Sequence, residues 1–126
     1  PGETPLETAL REACEEVGVC GSVTILGALT PLYIPPSDFE VQPFVGWLPA
    51  RPTWRPDPAE VVEVIECALD WLLDDTRKVE EDWTVRGMPL HVPWYGVDGR
   101  RVWGATAIIL SELEARLRTL RGEALA

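Results

Sequence analysis

Glu12, Glu15 and Glu16 bring three carboxylates into a short stretch near the start of the chain. On a helix their spacings of three and four gather them on one face, where each like-charged pair costs roughly 0.2–0.5 kcal/mol. Glu15 and Glu16 also fall in the last turn before Gly18, where the helix dipole favours cations instead. Two readings of such a face are open. It is an acidic surface helix in water, or it is a place where a divalent cation such as Mg2+, which binds carboxylate oxygens, turns repulsion into coordination.

The element that must position these groups is legible on both sides of them. Thr4 suits a helix N-cap, Pro5 suits the first turn, and Glu7 completes a T-x-x-E capping box. Gly18 supplies the stop, which predicts a helix from about Pro5 to Val17. At about 100° per residue, Leu6, Ala9, Leu10, Ala13 and Val17 form an apolar face distinct from the acidic one.

The string Gly2-Glu3, Arg11-Glu12, Glu15-Glu16, Gly18-Val19 resembles the signature of the Nudix hydrolases, G-x5-E-x7-R-E-U-x-E-E-x-G-U, with U a bulky apolar residue. Glu3 takes the first Glu position, Ala13 stands where a larger residue is usual, and the opening Gly of the signature falls before Pro1. The segments 29–47 and 102–117 further resemble the branch of that family containing coenzyme A pyrophosphatases. The motif by which that branch binds coenzyme A lies upstream of its signature, outside this sequence. Strands that precede the signature helix in the family fall there too, so the chain is expected to be one Nudix domain over residues 1–126, incomplete at its N-terminus. The resemblance implies an α/β fold, an α/β/α sandwich with a mixed sheet between helices.

It also implies a chemistry. Splitting a diphosphate link requires neutralising the phosphate oxygens and delivering a water, and bound Mg2+ or Mn2+ serves both needs. The resemblance makes Glu12, Glu15 and Glu16 the metal ligands, Glu16 above all. Arg11 then orients a carboxylate through a fork-like pair, with Glu3 or a signature glutamate; Glu7, one turn earlier, is the alternative partner. Glu60, in D-P-A-E-V, is the candidate general base, or else a solvated strand end. Trp54, between Arg51 and Arg55, is suited to stacking on a base while Arg55 meets phosphates, or to packing its loop down. Tyr33 and Ser37 are further substrate-contact candidates, and the single histidine, His91, reads as a packed or exposed residue. The implied substrate is coenzyme A or a derivative, giving 3′,5′-ADP and 4′-phosphopantetheine. ADP-ribose or another sugar nucleotide is the alternative, and a non-catalytic nucleotide-binding module a third reading that the intact glutamate set disfavours.

The rest of the chain agrees with a globular enzyme. Its 126 residues suffice for one core, with 46% hydrophobic and 25% charged residues. The net charge of −10 argues against a nucleic-acid surface and requires metal ions or a local basic patch for a polyanionic substrate. No apolar run reaches the length of a membrane span and no signal peptide is visible. Cys14, Cys20 and Cys67 read as reduced thiols of a cytoplasmic protein, and the family makes a homodimer an expectation. Strands are predicted at Ser22–Thr30, at Phe39–Leu48 with a bulge or edge at Pro43, and at Glu60–Ala68, with a proline-rich connector over Pro31–Asp38. A short helix at Leu69–Asp75, a hairpin over Lys78–Arg86 and Leu90–Val97, and a D-G turn into Arg101–Trp103 follow. The final helix, Gly104 to about Arg121, presents Ile109, Leu110, Leu113, Leu117 and Leu120 as a stripe. Trp47, Trp71 and Trp103 are expected in the core.

Overall fold

The computed structural model describes residues 2–34 and 37–122, and the chain divides into two compact units, Pro1–Val64 and Ile65–Ala126. The α/β class expected from the sequence holds in both, and each strand pairing among the described residues is antiparallel.

In the first unit, helix α1 (Pro5–Val17) leads to strands β1 (Thr24–Ala28), β2 (Leu32–Ile34), β3 (Phe39–Val41) and β4 (Phe44–Trp47). β1 pairs with β4, and the register shifts between Ile25 and Gly27. β2 pairs with β3 in a short hairpin, so part of the proline-rich connector is strand; Pro35 and Pro36 lie outside the described residues. The single strand expected over Phe39–Leu48 is two strands in two different sheets. Pro43 has no N–H to donate to a ladder, and the chain breaks there. The break is held by Leu29, whose N–H donates to the Pro43 carbonyl at 2.9 Å, while Gln42 Nε2 donates to the Leu29 carbonyl at 2.9 Å. Leu29 and Pro43 are buried.

The strand expected over Glu60–Ala68 is absent, and the segment is a turn followed by irregular chain. Asp57 turns the chain at its start: its carbonyl accepts from the N–H groups of Glu60 (3.0 Å) and Val61 (2.8 Å), and its Oδ1 accepts from Ala59 N–H at 3.0 Å. The first two donors of the expected strand are thus committed to that turn, and Val62 faces solvent fully.

In the second unit, α2 (Leu69–Leu72) and a 3-10 turn at Asp75–Arg77 precede β5 (Lys78–Val85), β6 (Met88–Val97), β7 (Arg100–Val102) and α3 (Gly104–Leu120). β5, β6 and β7 form one meander. Its two tight turns have positive φ at both central residues, Arg86 (51°) with Gly87 (77°) and Asp98 (51°) with Gly99 (77°), the geometry whose twist matches paired strands. Leu72, Tyr95, Val97 and Ala107 form the core, with Trp71, Val102, Leu110, Leu113 and Leu117 packed against it. The expected helix stripe holds at Leu110, Leu113 and Leu117 and differs at its ends. Ala107 and Glu114 take the buried positions of α3, and Leu120 is 84% exposed.

Glu114 is tolerated there because it is fully engaged. The Tyr95 hydroxyl donates to its Oε1 at 2.7 Å and Arg118 Nε donates to its Oε2 at 2.9 Å. Burial pushes its carboxyl up, but the bonds from Tyr95 and Arg118 outweigh burial and hold it below the usual carboxylate range. Arg118 also reaches the Leu73 carbonyl (2.9 Å) and Asp75 (2.8 Å), tying α3 to the start of the unit.

Of the three tryptophans expected inside, only Trp71 joins the core. Trp47 is 53% and Trp103 54% exposed. Trp47 is the last residue of β4, opposite the exposed Thr24, and Trp103 stands before α3 with its ring edge on Trp83 at 5.2 Å. Two of the three cysteines also differ from expectation. Cys14 and Cys20 are joined in a disulfide, and only Cys67, which is exposed, is free.

Candidate functional site

α1 begins and ends as its sequence dictates. Glu7 N–H donates to Thr4 Oγ1 at 3.1 Å and Thr4 N–H to Glu7 Oε1 at 3.3 Å, closing the capping box. At the other end Gly18 turns left-handed with φ of 82°, and its N–H reaches the Cys14 carbonyl at 3.1 Å. Val19 N–H follows to the Ala13 carbonyl at 3.2 Å, so two terminal carbonyls are satisfied. The apolar face of α1 is half-buried at Leu6, Ala9, Ala13 and Val17, while Leu10 is exposed.

On the polar face, Arg11 is the organiser. Its Nε and Nη2 donate to the two oxygens of Glu3 at 2.8 and 3.1 Å, a two-pronged fork, and Nη1 donates to Glu15 Oε2 at 3.0 Å. Thr8 Oγ1 donates to Glu3 Oε1 at 2.9 Å. Glu7 is in the capping box and Arg11 is turned to Glu3 and Glu15 instead. The Arg11 guanidinium, with help from the Thr8 hydroxyl, holds the Glu3 carboxyl below its ordinary range, and Glu3 and Glu15 in turn raise the Arg11 pKa. Glu12 and Glu16, one turn apart, have no partner for their carboxylates among the described residues.

That division can be tested against a cation. The available donors are carboxylate oxygens, the ligands a hard divalent ion takes. No group of three or more His, Cys, Asp or Glu side chains converges on a metal position among the described residues. Mg2+ does not require one, because it is commonly held by one or two carboxylates together with water and substrate phosphate. Glu12 and Glu16 fit that mode, and Glu15 is drawn off by Arg11.

The loop carrying Trp54 and Arg55 meets the end of α1 through its backbone. Arg55 N–H donates to the Val17 carbonyl at 2.9 Å and Asp57 N–H to the Glu16 carbonyl at 2.8 Å. The approach is so close that a Cβ on Gly18 would lie 2.9 Å from Arg55 Cβ and 3.1 Å from its nitrogen. Gly18 is therefore required twice, by its φ and by this contact. Trp54 is half-buried and Arg55 exposed. Glu60 is exposed in the turn begun by Asp57, so it follows the loop as expected but opens no strand.

Tyr33 stands apart on β2, 57% exposed, with its hydroxyl donating to Asp38 Oδ1 at 2.6 Å, a bond that raises its pKa. Ser37 donates to the Ile34 carbonyl at 2.6 Å in the same hairpin. His91 belongs to the second unit, bracketed by Asp82 at 3.0 Å and Glu80 at 3.5 Å, which raise its pKa. Two features of the site escape the sequence reading. Asp57 anchors the loop to α1, and a side chain able to close a turn two residues on was the available signal. The Cys14–Cys20 pair brackets the signature's final glutamates, a spacing that carries no metal or redox motif of its own.

Known proteins resemble this chain in the same region. The sequence model of the NUDIX domain matches residues 1–86. The chain is 36% identical over 115 residues to a protein of Pectobacterium atrosepticum named uncharacterized Nudix hydrolase NudL, covering 89% of this chain and 58% of that protein. It is 34% identical over 114 residues to the NudL of Photorhabdus laumondii subsp. laumondii, covering 90% and 60%. The NudL of Yersinia enterocolitica matches at 37% over 111 residues, covering 86% and 55%. The chain thus spans a little over half the length of these relatives.

Proposed function

The chain belongs to the Nudix family, and from that membership we propose that it is a metal-dependent hydrolase of the diphosphate link in nucleoside diphosphate derivatives. The observation that carries the proposal is the arrangement on α1: Arg11 holds Glu3 and Glu15, and Glu12 and Glu16 keep carboxylates without a partner among the described residues. Glu12 and Glu16 would hold Mg2+ or Mn2+, with Glu15 beside them and tethered to Arg11. Such an ion, when bound, supplies charge neutralisation for phosphate oxygens and makes water more acidic.

The remaining roles fall to this chain's own groups. Arg11 keeps Glu15 in one orientation through the 3.0 Å contact, using a guanidinium that stays charged at any working pH. Glu60 would take the proton lost by the attacking water. Arg55 would meet substrate phosphate, Trp54 would stack on the base, and Tyr33 would make a more distant substrate contact. We read residues 1–126 as one Nudix domain acting in the cytoplasm on a small-molecule nucleotide, as a homodimer. Among the described residues no helix is long and apolar enough to cross a membrane.

Coenzyme A, or a derivative of it, is the proposed substrate, on the resemblance of segments 29–47 and 102–117. The test is a panel of coenzyme A, ADP-ribose, NADH and diadenosine polyphosphates with Mg2+ or Mn2+, products resolved by ion-exchange chromatography. Coenzyme A should be cleaved fastest, to 3′,5′-ADP and 4′-phosphopantetheine. Faster cleavage of ADP-ribose would replace the substrate, and no cleavage of any member would overturn the hydrolase reading.

A further inference from the structure

The disulfide between Cys14 and Cys20 closes a small ring around Glu15, Glu16, Val17, Gly18 and Val19. That ring holds two signature glutamates and the glycine that ends α1. Its geometry follows from the helix end: the left-handed turn at Gly18 folds the chain back, and the Cα atoms of Cys14 and Cys20 come within 4.5 Å. Inside the ring, the Cys14 carbonyl accepts from Gly18, and the Val17 and Glu16 carbonyls accept from Arg55 and Asp57. One covalent closure therefore restrains the helix end, Glu16 and the loop that carries Trp54 and Arg55. Cys20 is exposed, which leaves this side of the bond open to a reagent in solution.

We propose that Cys14 and Cys20 form a thiol–disulfide exchange site that sets the order of the α1 end and its loop; its effect on turnover rests on the hydrolase reading above. The ligand class is a small dithiol, or in reverse a small disulfide. A thiolate of the dithiol attacks the exposed Cys20 sulfur, the bond to Cys14 breaks, and Cys14 leaves as a thiolate that takes up a proton. The second thiol of the reagent then displaces Cys20 from the mixed disulfide. Two electrons and two protons pass to the protein, and the reagent departs oxidised. Oxidised glutathione reverses the sequence and leaves as two thiols.

Oxidised, the ring keeps the Gly18 turn closed and the Arg55–Asp57 strap seated. Reduced, the turn keeps only its backbone bonds. Loss of a small-ring constraint shifts such a local equilibrium by about tenfold or more.

The test uses the full chain. In Cys67→Ser, which removes the exposed thiol that oxidised glutathione would itself cap, alkylation in denaturant after treatment with oxidised glutathione and gel filtration should add no label, with no glutathione mass on the protein, and two labels after dithiothreitol. Two labels on the oxidised protein, or two bound glutathiones, would overturn the proposal. Hydrogen exchange then reads the switch without reference to activity. Amide protection at Gly18, Val19, Arg55 and Asp57 should fall about tenfold on reduction and recover on reoxidation, with β6 unchanged. Cys14→Ser/Cys20→Ser should sit at the reduced level in both conditions. Equal protection in the two redox states would overturn the switch. If protection changes while no diphosphate is cleaved in either state, the exchange site stands and the hydrolase reading fails.

Discussion

Replacing Gly18 by alanine separates two demands that the end of α1 makes on one residue. The first is conformational, since φ is 82° and a left-handed residue with a Cβ costs roughly 1–2 kcal/mol. The second is steric. The new Cβ would sit 2.9 Å from Arg55 Cβ and 3.1 Å from Arg55 nitrogen, and neither atom is the far end of a flexible side chain. Relieving that overlap moves the loop and costs a further ~1–3 kcal/mol. Gly21 provides the control, with φ of 74° and nothing within 4 Å of its Cβ position. Gly21→Ala should show the first cost alone, and Gly18→Ala the sum, about 2–5 kcal/mol. Hydrogen exchange of α1 amides against urea measures the opening free energy of this unit without mixing in the second. Equal losses for the two variants would show that the approach of Arg55 to Gly18 is not a tight contact, and the account of how the loop is held to the signature helix would fail.

Three further outcomes are expected. Glu16→Gln should abolish Mg2+-dependent diphosphate hydrolysis with unchanged circular dichroism, and full turnover would remove Glu16 from the metal set. Tyr95→Phe should destabilise the second unit by about 1–3 kcal/mol in thermal denaturation, because it strips a 2.7 Å donor from buried Glu114; a neutral result would mean that Arg118 and Lys78, 3.8 Å from the same oxygen, satisfy that carboxylate without it. The pH dependence has a definite sign. Tyr95 and Arg118 hold the Glu114 carboxyl below the usual carboxylate range, so its stabilisation is present above that range and is lost as pH falls through the folded value. Glu114→Gln should flatten that acid limb in a melting-temperature series, and an unaltered limb would assign acid sensitivity to other groups.

Local rules carried the parts of the chain in which cause and effect are close in sequence. Thr4, Glu7 and Gly18 define α1 to the residue and Asp98-Gly99 places the second hairpin turn, whereas the first turn falls at Arg86-Gly87 and Met88 and Pro89 already belong to β6. The Arg11 fork was legible through the family resemblance, which implies Glu3 or a signature glutamate as partner, whereas helical spacing alone left Glu7 as an alternative. The misses share a different origin. Glu60–Ala68 alternates like a strand, but alternation says nothing of how Asp57 takes up the N–H groups of Glu60 and Val61. Trp47 and Trp103 are apolar enough for a core, yet Trp47 is the last residue of β4 and Trp103 lies between β7 and α3, and both are exposed. Glu114 lies on the buried side of α3 because Tyr95, from strand β6, and Arg118, one turn along the same helix, satisfy it. The disulfide depends on a left-handed turn that spacing alone does not reveal to bring two sulfurs together.

The charge balance of the α1 face is the argument that binds these pieces to a function. Glu3, Glu12, Glu15 and Glu16 place four carboxylates around one guanidinium, so three negative charges stay uncompensated on a chain whose net charge is −10. A bare face of that kind repels a diphosphate. The proposed cation therefore answers two needs, bringing the substrate to the surface and neutralising the oxygens at the scissile link. Arg11 cannot take its place. Its three donating nitrogens are already directed at Glu3 and Glu15, and moving them to a phosphate would release both carboxylates against the same anion. The arginine is thus a positioning residue, and Arg11→Lys should expose the difference. A lysine keeps the charge but loses the fork, so Glu15 is freed and metal half-saturation should rise while the fold persists. Should Arg11→Lys bind Mn2+ as the parent does, the fork on Glu3 would be a cap for the helix start and nothing more.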